Sequence, residues 1–308
     1  MLRLDQLEQI RDTIAAVFDL DGVGEVTLEC NPEDLSLDYL HGLATMRFVS
    51  RLSIGVQSFS DNLLHRLNRR HNARQALDAV RNAREAGFSN VSIDLIYGSQ
   101  PLDDFMTDLR QLDALSDCFD HLSAYSLTVE PHTMLETQIR EGRFSPLSDD
   151  EVVAQYDRVL QWCGTHGFEQ YEISNFAKPG FASRHNSRYW NRTPYLGVGA
   201  AAHSFDGLRR RWNDSDISQY CQLLKTGRII HEEEELTLKD AYNELVMTAL
   251  RTTAGIDKGL VGKTFENHLI KSVQPLIQRG LLVETPSHYQ PTAQGLLLAD
   301  SLALDLMA

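Results

Sequence analysis

Two short apolar runs, RLSIGVQSF (51–59) and NVSIDLIYG (90–98), flank a segment with a different period. Between them Leu63, Leu64 and Leu67, then Leu77, Val80 and Ala83, fall at helical spacing, and the segment stops at Gly87. Each run is aliphatic and β-branched over five or six positions, as expected of a strand buried on both faces. A helix closed by glycine between two such runs predicts a βαβ crossover. Polar residues gather where the strands end: Gln57 and Ser58 after the first, Asp94 and Tyr97 in the second. Arg69 lies just past the first helical stretch. Parallel α/β folds bind ligands at the carboxyl ends of their strands, which makes these residues site candidates, with capping and loop polarity as the plainer explanation.

The pattern extends in both directions. Leu4 to Leu20 reads as an amphipathic helix (Leu7, Ile10, Ile14, Ala15, Val17, Phe18) with no strand before it. A parallel domain seldom opens on a crossover helix, so this start suggests either an unusual design or a lost upstream segment. EVTLEC (25–30) is the first strand, stopped by Pro32, and Leu35 to Met46 is a short helix. Beyond the crossover come a helix at Phe105–Leu115, a strand at 121–131 (HLSAYSLTVEP), a helix at Asp149–Gly167, and YEISNFAKPG (171–180), a strand turning into a loop. The alternation suits an open or closed parallel barrel. Then follows a polar, aromatic segment, RHNSRYWNRTPYLGVGAAAHSF (184–205).

At 231–235 the run HEEEE reads as a solvated linker or helix start and marks a domain boundary. The chain thus divides into 1–235, with an accessory segment at 171–213, and 236–308. The second part predicts helices at Ala241–Thr252, Leu260–Thr264 and Ile270–Arg279, a hairpin in GLLVETPSHYQPT, and a final helix at Gly295–Leu306. That is a winged-helix order, often a DNA reader. Six lysines and arginines against seven acidic residues in 237–308 point to protein contact or packing instead.

Bulk properties narrow the function. A length of 308 residues allows about two domains. A formal charge of −14 argues against a nucleic-acid partner. No apolar stretch is long enough to span a bilayer and the amino terminus lacks a signal-peptide layout, so a soluble, cytoplasmic protein is expected. Cys30, Cys118, Cys163 and Cys221 are 88, 45 and 58 residues apart, which fits neither a disulfide framework nor a metal-ligand spacing.

Taken together, RLSIGVQSF, LNRRH (67–71), SIDLIYG (92–98), YEISNFAKPG and HNSRYW (185–190), with the trailing winged-helix part, resemble the radical S-adenosylmethionine proteins related to oxygen-independent coproporphyrinogen III oxidase. HNSRYW followed by GVGAAAHSF is similar to the HNxxYW signature of the heme chaperone HemW branch. The resemblance covers essentially the whole chain. It implies an α/β fold: a partial (βα)6-type barrel, here without its first two βα units, followed by a small winged-helix-like domain. It also implies S-adenosylmethionine contacts at Glu29, Gln57, Arg69 and Asp94. The chemistry suits them: Glu29 and Asp94 accept hydrogen bonds, Arg69 can clamp a carboxylate, and Gln57 both donates and accepts. A simple ion pair between Glu29 and Arg69 is the alternative.

The chain departs from the family in two places. The family's Cys-x-x-x-Cys-x-x-Cys loop, which ligates a [4Fe–4S] cluster, and its GGGTP turn are both absent. Scattered cysteines cannot replace the loop, and alternation on the strand points Cys30 away from Glu29. Reductive cleavage of S-adenosylmethionine is therefore not expected. The resemblance implies heme binding at the HNxxYW segment, with His185 as first candidate for the iron, Tyr189 and Trp190 as flanks, and His203 as a second, weaker imidazole. Three readings follow: a chaperone passing heme to respiratory or other hemoproteins, with a homodimer as one option; an oxidase decarboxylating coproporphyrinogen; and a shortened form of a longer protein.

Overall fold

The structure is a computed structural model that describes residues 2–131, 133–228 and 231–308. They form two compact units, one of the chain up to Gln170 plus Ser174–Ser183, the other of Tyr171–Ile173 plus Arg184–Ala308. Residues 184–235, which the sequence groups with the barrel, fold in the second unit with the C-terminal stretch.

The first unit runs α1 (Leu4–Ala15), β1 (Thr27–Cys30), α2 (Leu37–Met46), β2 (Arg51–Gln57), α3 (Asp61–Arg66), α4 (Ala73–Glu85), β3 (Val91–Tyr97), α5 (Leu102–Asp113), β4 (His121–Ser126), α6 (Met134–Arg140), α7 (Asp149–Thr165), β5 (Glu169–Gln170) and β6 (Asn175–Ala177). Its sheet is open, in the order β1-β2-β3-β4-β6-β5. The first four strands are parallel, and β6 returns antiparallel to β4. One face is continuous hydrocarbon: Leu52, Ile54 and Val56, Val91, Ile93 and Leu95, Leu122 and Ala124 are all fully buried. They belong to one core with Leu40 and Leu43 of α2, Ala76, Ala79, Val80 and Ala83 of α4, and Phe105, Leu109 and Leu112 of α5. The alanines on α4 let that helix lie close to the sheet, and each large side chain buried here contributes about 1.5–3 kcal/mol.

Local chemistry sets the ends of these elements. Ser36 caps α2, and capping boxes close the starts of α4 (Asn72 with Gln75) and α7 (Ser148 with Glu151). Helix α1 is shorter than its apolar pattern predicts. Of that pattern Leu7 is buried, whereas Ile10, Ile14, Val17 and Phe18 are exposed.

The second unit runs α8 (Arg184–Trp190), β7 (His203–Phe205), β8 (Arg209–Asn213), α9 (Ile217–Lys225), β9 (His231–Glu235), α10 (Leu238–Leu250), β10 (Ile256–Asp257), α11 (Lys263–Gln278), β11 (Leu282–Glu284), β12 (His288–Pro291), α12 (Ala293–Leu297) and α13 (Ala299–Leu306). From α10 onward the order is that of a winged helix, with a β10-β12-β11 sheet and a core of Tyr242, Val246, Leu250, Leu269, Val273 and Leu302.

The acidic run at 231–235, expected as a linker or helix start, is instead the third strand of an antiparallel β7-β8-β9 sheet. The reason lies across the ladder. Arg209, Arg210 and Arg211 stand opposite Glu235, Glu234 and Glu233. Opposite charges on facing strands are favourable, so RRR supplies what EEEE alone lacks for pairing.

Candidate functional site

On its second face the first unit's sheet is polar. Alternation and register place Glu29 beside Ser53, Ser53 beside Ser92, Ser92 beside His121, and Asp94 beside Ser123, which pairs with Asn175. Sequence reading marked only the strand ends and missed this row. The signal was present, because Arg51, Ser53, Gly55 and Gln57 occupy every second position of a run that otherwise reads as apolar.

Glu29, Gln57, Arg69 and Asp94 all belong to this face or its rim. Arg69 follows Asn68, whose φ of 54° turns the chain off α3. Its Nη2 donates to the Asn31 side-chain oxygen at 2.8 Å and to the Gly55 carbonyl at 3.1 Å. No ion pair joins Arg69 to Glu29 among the described residues, and Nε and Nη1 of Arg69 carry no hydrogen bond there. Its neighbours hold the loop still. Arg70 pairs with Glu33 at 2.8 Å, while buried His71 sets Nδ1 3.2 Å from the same carboxylate and Nε2 2.9 Å from the Val56 carbonyl. Gln57 sits at a register slip, with a φ of 68° that only a few non-glycine residues adopt. Such backbone strain concentrates at ligand-binding positions.

Gly55 makes room for both side chains. A methyl group there would stand 2.9 Å from Gln57 Nε2 and 3.2 Å from Arg69 Nη2. Both neighbours are ends of flexible side chains, so Gly55→Ala is expected to fold normally yet weaken S-adenosylmethionine binding several-fold. Calorimetry beside a thermal melt checks this; equal affinities would show that the two side chains do not form the pocket.

Burial pushes the Asp94 carboxyl up to about 6. A hydrogen bond from Ser123 works against the rise, the charge of Glu29 adds to it, and Arg51 and Ser53 oppose it. His121, bonded through Nδ1 to Ser92 Oγ at 2.7 Å, is driven down to about 3 by burial and then by Arg51, so it is neutral. Below the pocket rim, Ser58 Oγ, the Phe59 N–H and Gln100 Nε2 all donate to Asp108, at 2.7, 2.8 and 2.7 Å, fixing the turn after β2.

Cys30 points into the core, as alternation requires, and burial raises its thiol to about 12. Cys163 is likewise buried, with its thiol pushed up. Among the described residues no group of three or more His, Cys, Asp or Glu could hold a metal ion. The cysteines present therefore do not fit a [4Fe–4S] cluster.

In the second unit the HNSRYW segment forms α8, where the sequence suggested no regular element. His185 and Tyr189 lie one turn apart on the same stripe, rings edge to face at 4.9 Å, and both are exposed. Tyr189 continues to Tyr195 at 4.7 Å, and Tyr195 to Phe205 at 6.2 Å, an aromatic path from α8 to β7. Trp190 leaves this stripe and packs under the Arg251 guanidinium at 5.7 Å. His203 is exposed at the start of β7, its ring 6.1 Å from Trp212 in near-parallel planes. Gly197 of the GVGAAAHSF run is required by close approach, since a Cβ there would sit 2.0 Å from the His203 carbonyl oxygen.

An open, largely parallel βα sheet with a polar face, Gln57 at the end of β2, Asp94 within β3 and Arg69 on the loop after α3, is the architecture of a radical S-adenosylmethionine domain. Residues 2–112 match the Radical SAM superfamily and residues 236–298 the HemN C-terminal domain. The chain belongs to the heme chaperone HemW family. It is 34% identical over 306 residues to Heme chaperone HemW of Bacillus subtilis, covering 97% of this chain and 80% of that protein. Heme chaperone HemW of Escherichia coli is 30% identical over 306 residues, 96% of this chain and 78% of that one. Radical S-adenosyl methionine domain-containing protein 1, mitochondrial, of Bos taurus is 33% identical over 318 residues, 97% and 71% of the two chains. The solved coproporphyrinogen III oxidase HemN of Escherichia coli superposes with a TM-score of 0.81 over 100% of this chain and 75% of its own, at 22% identity, a likeness of fold. No helix among the described residues is long and apolar enough to cross a membrane.

Proposed function

We propose that this chain is a heme carrier: α8 holds heme, with His185 on the iron and Tyr189 against the macrocycle, and the heme then passes to a recipient hemoprotein. The observation that carries this is the solvent-facing imidazole and phenol on one stripe of α8, in a chain whose relatives are named for heme chaperoning. An imidazole supplies an axial ligand, and a flat aromatic ring covers apolar porphyrin surface. Trp190 acts one step back, anchoring α8 through Arg251. The reading places the carrier in the cytoplasm, with respiratory or other hemoproteins as recipients.

The first unit supplies an S-adenosylmethionine pocket. Arg69 offers its uncommitted Nε and Nη1 to the ligand's carboxylate, Glu29 and Asp94 accept from its amino or ribose groups, and Gln57 serves as both donor and acceptor. These residues fit the ligand by charge and placement.

Hemin titration tests the carrier reading. Saturable binding with a sharpened Soret band is expected, followed by transfer of that band to an apo-cytochrome on mixing. Absence of saturable hemin binding would overturn it.

A further inference from the structure

Heme presents more than iron and a ring. One edge carries two propionate carboxylates, which an acidic protein repels unless a local cation answers them. This chain has a formal charge of −14. The segment RHNSRYWNR (184–192) runs against that balance, with Arg184, Arg188 and Arg192 four residues apart and no acidic residue between them. Spacing of four places successive side chains along one helical stripe.

The three arginines differ in what they already hold. Arg192 has turned off the helix end at a φ of 57° and is committed to Glu244 at 3.2 Å and to the Ala241 carbonyl. Arg184 is engaged within the protein. Arg188 is exposed, and its guanidinium has no ion pair or hydrogen bond among the described residues. It stands three residues after His185 and next to Tyr189, so on α8 it borders the imidazole that would take the iron. A rise of about 4.5 Å along the axis separates the two residues, and the arginine side chain is long enough to reach past the ring edge.

We infer that Arg188 is the propionate anchor of the heme site, a guanidinium that takes a carboxylate of the porphyrin edge while His185 takes the iron. This rests on the heme-carrier reading and adds to it a preference for the free acid form of the ligand. A guanidinium forks onto a carboxylate with two parallel hydrogen bonds, which an ester cannot accept as an anion. The contact orients the porphyrin as well as holding it, propionate edge toward the C-terminal end of α8.

The test compares hemin with hemin dimethyl ester, whose carboxylates are masked, in the same dilute detergent. The full chain is expected to bind hemin about fivefold more tightly than the ester, the size of one exposed charge pair. In Arg188→Ala the two ligands should bind alike, at the ester's level, and Arg188→Lys should keep part of the preference. Raising salt should shrink the preference of the unaltered chain and leave the alanine variant unmoved. His185→Ala should weaken both ligands together. Because the Arg188 guanidinium makes no hydrogen bond or ion pair among the described residues, far-ultraviolet circular dichroism of its variants should match the parent. Unchanged hemin affinity in Arg188→Ala, or a preference for the acid that survives the substitution, would overturn the anchor while leaving the carrier reading in place. Failure of the unaltered chain to bind either ligand would overturn both.

Discussion

Hemin added to the His185→Ala protein is expected to bind about tenfold more weakly than to the parent, a loss of about 1.4 kcal/mol, and its Soret band is expected to move as the iron loses a ligand. The effect follows from geometry. His185 is exposed and sits on the stripe that also presents Tyr189, so removing the imidazole takes away the iron contact without disturbing a buried core. His203→Ala is the informative control. That ring lies against Trp212, whose Nε1 donates to Glu232 at 3.0 Å, and it belongs to β7, not to α8. Its loss should leave the spectrum in place. A His185→Ala protein with unchanged affinity and spectrum would remove His185 as the ligand, and a shift confined to the His203 variant would move the site.

Asp94→Asn is expected to raise stability while abolishing S-adenosylmethionine binding. The ordinary carboxyl value of 3.8 is raised to about 6 in the folded protein. Below the unfolded value both states hold the proton and nothing is lost. As pH rises from there the unfolded chain ionises first, and above about 6 the folded state carries the full cost of a buried carboxylate. Two units of displacement amount to about 3 kcal/mol at neutral pH. Asparagine keeps an acceptor for Ser53 and Ser123 and removes the charge, and the loss of an anion near Arg51 offsets part of the gain. Urea denaturation at pH 7.5 should therefore show a more stable variant, the gain shrinking as pH falls toward 4, while calorimetry shows no ligand uptake. A variant equally stable at both pH values would mean that Asp94 is not held in the unfavourable ionised state, and undiminished binding would remove it from the pocket.

Much of this was legible in the order of residues. The crossover from Arg51 to Tyr97 followed from two buried runs and the helical spacing between them, and the winged-helix end followed from its helices and hairpin. Strand-end polarity marked Gln57 and Asp94, the segment after the first helical stretch offered Arg69, and the family resemblance joined them with Glu29 as candidate ligand contacts. What escaped was nonlocal. Arg51 and His121 were hidden in runs that looked apolar because strand alternation assigns them to a face that no single stretch reveals. Asn31 became visible as the partner of Arg69 only once the end of β1 and the loop after α3 came together. The antiparallel return of β6 depends on pairing to β4, and HEEEE looked like a linker because the arginines that make it a strand lie more than 20 positions upstream. HNSRYW looked irregular because a seven-residue helix is too short to show a period.

The arginine-facing strand β9 has one further effect. It lies at the edge of its sheet, a place where exposed backbone groups invite another chain to add on. Every residue from Glu232 to Glu235 is a glutamate, so an identical strand approaching that edge would bring carboxylate against carboxylate. Within its own sheet the same strand meets the arginines of β8 instead, although α9 separates the two strands along the chain. A charged edge of this kind disfavours strand addition between copies of the chain.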